Sequence, residues 1–105
     1  MKLNEILNVI NELNAKLKGV FPDFKGVYLY GSVARGDFSK DSDVDIVALF
    51  DEINYEKELG IYGITGDIEY KYDIFFDIQP MTEHDLRRNP FYYEEVTQKG
   101  MFYAV

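Results

Sequence analysis

Residues 31–45 read Gly31-Ser32-Val33-Ala34-Arg35-Gly36-Asp37-Phe38-Ser39-Lys40-Asp41-Ser42-Asp43-Val44-Asp45. A Gly-Ser turn is followed, ten residues on, by an Asp-x-Asp pair. The pair opens an apolar run, Asp43 to Phe50, with the character of a buried strand. Residues i and i+2 of a strand share a face, so both carboxylates project together from one edge of a sheet. Two like charges about 5 Å apart repel by roughly 3 kcal/mol at an effective dielectric of about 20. A protein that keeps both ionised usually sets a cation between them. Carboxylates favour hard cations, and Mg²⁺ held by one or two carboxylates typically brings a substrate phosphate with it.

On the N-terminal side of this stretch, residues 25–30 form a first strand that runs into Gly31-Ser32. Backbone N–H groups at such a strand-to-turn junction make a phosphate cradle. Further upstream, Leu3, Ile6, Leu7, Ile10, Leu13 and Leu17 recur at helical spacing. Lys16 and Lys18 suit the C-terminal end of that helix, and Gly19 is its expected stop. Downstream, residues 52–71 have helical periodicity and read as a helix, although Gly60, Gly63 and Gly66 each cost about 1 kcal/mol relative to alanine and leave room for an interruption. Residues 73–79 are a third strand, with Ile74, Phe76 and Ile78 on one face and Asp73, Phe75 and Asp77 on the other. Thr82 caps a short helix, with Asp85 completing a capping box. Asn89-Pro90 starts another helix, expected to end near Lys99-Gly100, and residues 101–105 form a last short strand. The fold class is therefore α/β, a small mixed β-sheet packed with helices, in one domain over residues 1–105.

Nine Tyr and eight Phe, 16% of the chain with no Trp, imply an aromatic-rich core. The net charge of −8 argues against stand-alone binding to a polynucleotide, which needs a basic face. Without cysteine there are neither disulfides nor thiolate metal sites. Met1 to Ile10 lacks the unbroken apolar stretch of a signal peptide, and no run is long enough to span a membrane, so the expected location is the cytoplasm. Lys40 is expected to be solvated. His84, the single histidine, sits in a polar cluster and is expected at the surface, outside the site.

The pattern Gly-Ser, ten residues, Asp-x-Asp resembles the signature of the nucleotidyltransferases related to DNA polymerase beta. Its fuller form here, Gly31-Ser32-Val33-Ala34-Arg35-Gly36 with Ser42-Asp43-Val44-Asp45, is similar to the minimal nucleotidyltransferase branch. The resemblance implies a palm-like sheet and the transfer of a nucleoside monophosphate from an NTP, ATP by analogy, to a hydroxyl. It implies two Mg²⁺ ions, which stabilise attacking and leaving oxygens together. Asp43 and Asp45 then serve as shared metal ligands and catalytic carboxylates, and Gly31 and Ser32 as the triphosphate cradle. The family's third carboxylate lies in a downstream apolar strand, where this chain offers Asp73 and Asp77. Asp77 is preferred, because it is flanked by Phe76 and Ile78 and precedes the turn at Gln79-Pro80. It would bind metal and draw the proton from the acceptor. Arg35 either neutralises phosphate or anchors the loop to a nearby Asp, and Ser42 either contacts phosphate or caps the loop.

The resemblance implies a protein or small-molecule hydroxyl as the acceptor. By family analogy, small proteins of this type pair with a helical HEPN-domain protein in toxin–antitoxin modules, with this chain as the antitoxin. The motive is a core that carries no acceptor-binding domain of its own; aminoglycoside-modifying relatives carry such extra structure. The competing reading is a catalytically inactive module that neutralises or scaffolds a HEPN-type partner. A homo-oligomer sharing a site across copies stays open.

Overall fold

The computed structural model describes residues 2–39 and 41–105; Met1 and Lys40, with the expectation of a solvated Lys40, lie outside them. Four strands form one mixed sheet in the order β3-β2-β1-β4: β1 (Gly26–Tyr30), β2 (Val44–Leu49), β3 (Phe76–Met81) and β4 (Met101–Ala104). β1 is antiparallel to both β2 and β4, whereas β2 and β3 are parallel. A parallel pair needs a crossover, and here it is the long helix α3 (Tyr55–Tyr72). α1 (Leu3–Val20) precedes the sheet, and the one-turn helix α2 (Gly31–Arg35) follows β1 directly. α4 (Glu83–Arg87) and α5 (Pro90–Thr97) bridge β3 to β4.

The two faces of the sheet are packed unequally. One is covered by α1 and α3, and its core joins Ile6, Ile10, Leu13 and Leu17 to Leu29, Ile46, Phe50, Ile61 and Ile68. Burying each such side chain contributes about 1.5–3 kcal/mol. The other face packs a smaller cluster of Val47, Leu49, Leu86 and Val96 beneath α4 and α5, edged by Tyr28, Tyr30, Tyr92 and Tyr93. Residue alternation along β2 divides the two: Val44, Ile46 and Ala48 turn to the first, Asp45, Val47 and Leu49 to the second.

Several expected boundaries move. α1 runs one residue past Gly19, because the Phe21 N–H still bonds to the Leu17 carbonyl at 2.8 Å and the chain breaks only before Pro22. α3 is continuous for 18 residues in spite of its three glycines. Asn54 caps it by accepting from the Lys57 N–H at 2.8 Å, and its buried side, Ile61, Thr65 and Ile68, locks onto the sheet. Tertiary packing thus outweighs the propensity deficit. Asp73 begins no strand: it is the left-handed C-cap of α3, at φ 53°. The Glu69 carboxylate accepts from the Phe76 N–H at 2.8 Å, and β3 starts there, three residues later than expected. Pro80 is tolerated in β3 because this is an edge strand. α5 ends at Thr97, short of Lys99-Gly100. Thr82 caps α4 by accepting from the Asp85 N–H at 3.1 Å. Among the described residues no helix is long and apolar enough to cross a membrane.

Candidate active site

At the end of β1 the chain turns at Gly31, which has φ +76°. That conformation favours glycine, and a second constraint coincides with it. A Cβ at position 31 would run into the Asp45 carboxylate. The carboxylate therefore lies directly against the backbone of the Gly-Ser turn. Ser32, half-buried, and Val33 occupy the single turn of α2, whose first N–H groups have no intrahelical acceptor. Gly36 closes that turn in the left-handed conformation, with φ +82°.

The sheet supplies the remaining carboxylates. In the parallel pairing of β2 and β3, Asp45 lies opposite Asp77. In the antiparallel pairing with β1, Asp45 lies opposite Tyr30. Asp43 precedes β2 by one residue, so it belongs to the loop and not to the strand. Asp73, the other candidate for a third carboxylate, is not beside Asp45. It lines a concavity of about 690 Å³ with Asp41, Ser42 and Phe75. The pairing register thus brings Asp45 and Asp77 together and leaves Asp73 elsewhere.

Electrostatics at this corner are those of crowded like charges. Burial pushes the Asp45 carboxyl above its ordinary value; Asp77 and Asp43 push it further, and Arg35 partly offsets them. Gln79 donates to Asp77 Oδ1 at 3.2 Å and orients it. Arg35 pairs with Asp37 at 3.3 Å and with Glu95 of α5 at 3.8 Å, so in this structure it anchors the loop. Ser42 Oγ accepts from the Ser39 N–H at 2.9 Å, a loop-capping contact. His84 is exposed on α4.

Two residues near the carboxylates have no motif to announce them. Tyr30 and Tyr92 meet edge to face, with centroids 5.8 Å apart and hydroxyls at 3.0 Å. Burial raises the Tyr30 phenol well above its ordinary value, and the Tyr92 hydrogen bond, Asp45 and Asp77 add to the effect. The Tyr92 phenol is also raised, mainly by burial. The period-2 pattern of β1 places Tyr30 on the carboxylate face; nothing local in α5 marks Tyr92, which arrives by tertiary packing.

Among the described residues no three acidic or histidine side chains are gathered into a ready-made ion site. The donor set nevertheless fits a hard divalent cation: oxygen ligands only, with adjacent carboxylates whose mutual repulsion a cation would relieve. Mg²⁺ is usually held by one or two carboxylates with water and substrate phosphates completing its shell, so an open arrangement suits it.

Comparison with known proteins points the same way. The family model for the nucleotidyltransferase domain matches residues 6–101. A Methanocaldococcus jannaschii protein provisionally named a protein adenylyltransferase (MJ0141) is 38% identical over 72 residues, 67% of this chain and 73% of the relative. A toxin–antitoxin crystal structure with AMP-PNP superposes with a TM-score of 0.61 at 19% identity, covering 97% of this chain and 72% of its own. A Shewanella oneidensis complex of a tri-AMPylated HEPN toxin with its MNT antitoxin gives 0.50 at 15% identity, covering 95% and 66%. At such identities the structural likenesses speak to the fold, a nucleotidyltransferase fold, while the family model and the archaeal relative speak to kinship. The chain belongs to the nucleotidyltransferase family, whose domain its residues 6–101 match.

Proposed function

We propose that the chain is a Mg²⁺-dependent adenylyltransferase that moves AMP from ATP to a protein hydroxyl. The observation that carries this reading is the register of Asp45 opposite Asp77, with the Asp45 carboxylate against the backbone of Gly31. Asp43, Asp45 and Asp77 would hold the divalent ions, which when bound neutralise charge gathering on the transferred phosphoryl group and on the departing pyrophosphate. Backbone N–H groups at Gly31 and Ser32 bind the triphosphate, and the Ser32 hydroxyl adds a donor. Asp77 takes the proton from the acceptor hydroxyl as its oxygen bonds to the α-phosphorus and the bond to pyrophosphate breaks. Released from its loop contacts, Arg35 reaches the phosphates, and Ser42 lines their approach.

The acceptor class is supported by the archaeal relative named for protein adenylylation. The partner is a HEPN-type protein with this chain as its antitoxin, supported by the MNT antitoxins of the superposed complexes. On this reading residues 1–105 act as one catalytic unit in the cytoplasm. Calorimetric titration with ATP tests it, with Mg²⁺ and with EDTA, beside the Asp43→Asn, Asp45→Asn variant. Binding that needs Mg²⁺ and disappears in the variant is the expected result. No binding of any NTP would sink the catalytic reading. Mass spectrometry of a co-expressed HEPN protein then tests the acceptor: an added AMP on a hydroxyl is expected, and its absence rejects that acceptor.

A further inference from the structure

α3 carries apolar side chains on both of its sides. Ile61, Thr65 and Ile68 are buried against the sheet. On the outward side Tyr55, Leu59, Tyr62 and Tyr70 are 73%, 54%, 45% and 93% exposed. At 3.6 residues per turn these four, with Gly63 and Gly66, fall within an arc of roughly 100° and extend about 22 Å along the helix. A solvent-facing helix side is normally polar, and a contiguous exposed apolar stripe with a polar rim marks an interaction surface.

The glycines strengthen this reading. A Cβ at Gly63 or Gly66 would meet nothing within 4 Å, so no contact among the described residues requires a missing side chain there. Gly60 differs, because its Cβ would press on the Phe21 ring at 3.0 Å. Glycine is the poorest helix former after proline, and two are kept here without an internal use. They leave a shallow saddle between Tyr62 and Tyr70 where a second backbone can approach closely.

Charge selects the occupant. By helical spacing Glu56 and Asp67 follow one margin of the stripe and Glu58 the other, while Glu69, also on that second side, is already engaged with the Phe76 N–H. The lysines of α3 are turned away, Lys57 to Asp23 and Lys71 to Glu12. A second copy of this chain would set carboxylate rims against carboxylate rims, and an anionic lipid surface would be repelled. We propose that the outward face of α3 docks an amphipathic helix of a partner protein, one whose apolar ridge is flanked by Lys and Arg. α3 packs on the sheet face opposite Asp45, so this partner is held behind the candidate active site and its docking does not depend on the proposed chemistry.

The test titrates the isotope-labelled full chain with a synthetic helical peptide of leucines flanked by lysines, and separately with its glutamate counterpart, following backbone amides by NMR. The lysine peptide is expected to shift residues 55–70 ahead of all others, with affinity that falls as salt rises. Leu59→Glu with Tyr62→Glu is expected to weaken it by at least about tenfold. Gly63→Leu with Gly66→Leu, which fills the saddle with better helix formers, is expected to weaken it while the melting temperature holds or rises. Equal binding of the glutamate peptide overturns the proposal, as do lysine-peptide shifts scattered over the acidic surface. Self-association abolished by Leu59→Glu, or binding to neutral phosphatidylcholine vesicles through α3, overturns it in favour of a second copy or a membrane. The Asp43→Asn, Asp45→Asn variant is expected to bind the peptide as the unaltered chain does, so failure of docking and failure of the chemistry appear in different experiments.

Discussion

The two faces of the sheet divide the work of this molecule. Beneath α1 and α3 lies an extended apolar core, whose buried polar side chains among the described residues are Asn14, at its margin, and Thr65. Beneath α4 and α5 the apolar cluster is small, and beyond it the same face ends in Tyr30, Asp45 and Asp77. One face accumulates stability. The other gives some away by crowding Asp45 with neighbouring carboxylates where burial already disfavours its charge. Two aspartates show the contrast. For Asp23 burial is again the largest influence and acts upward, yet Lys57 and two backbone N–H groups outweigh it, and the carboxyl ends below its ordinary value. Lys57 also lies over the Phe50 ring at 4.9 Å, tying the start of α3 to the core. Asp45 is left with its repulsion, which a cation could use.

The sharpest way to break this division is Asp45→Asn. Nucleotidyl transfer should fall by roughly a thousandfold, the scale of losing a principal electrostatic contact in a site, while urea unfolding shows no loss of stability at neutral pH. The sign follows from linkage. A raised folded-state pKa gives stability that is full below the unfolded aspartate value, about 3.9, and is lost as pH rises through the folded value. The unaltered chain should therefore lose more stability than Asp45→Asn between that acid range and neutrality. A neutral-pH variant less stable than its parent would contradict the assignment of strain to this corner.

Next in size are deletions that weigh the two faces directly. Leu13→Ala, in the large core, should cost about 3–5 kcal/mol in denaturant melts, and Leu86→Ala, in the small cluster, about 2–3 kcal/mol. Equal costs would mean that the faces share stability evenly. Gly31→Ala strikes their junction. It should cost about 1–2 kcal/mol for the left-handed backbone alone, and ATP affinity should drop with it, because the new methyl displaces the Asp45 carboxylate. The smallest effect is expected from Tyr92→Phe, about 1 kcal/mol for one hydroxyl contact. A larger loss of turnover than of stability there would show that the tyrosine pair positions the site.

Much of this division was legible in the sequence, and the reasons are local. Period-2 alternation marked both faces of β2, and the spacing from Gly31-Ser32 to Asp43 and Asp45 pointed to the corner where the candidate site is proposed. What escaped depended on distant contacts. The continuity of α3 rests on its burial against the sheet, which the helix cost of Gly60, Gly63 and Gly66 conceals. The start of β3 rests on the Glu69 carboxylate holding the Phe76 N–H. Tyr92 reaches Tyr30 across 62 positions of chain, and no spacing rule spans that distance.

The sheet order carries a consequence for how the chain assembles. β1 and β2 close a short loop, and α3 hands β2 to β3, so the strands bearing Tyr30, Asp45 and Asp77 can zip together through comparatively near neighbours. β4 must find β1 from the far end of the chain, pairing Met101 with Leu29 and Ala104 with Gly26. Long loops close slowly and repay their entropy only when shut. β4, a four-residue edge strand tied to α1 by the Asn14 side chain on the Tyr103 carbonyl, is thus expected to dock last and to open first. Its amides should exchange with solvent soonest, while the hydrogen-bonded ladder beneath the carboxylates stays shut.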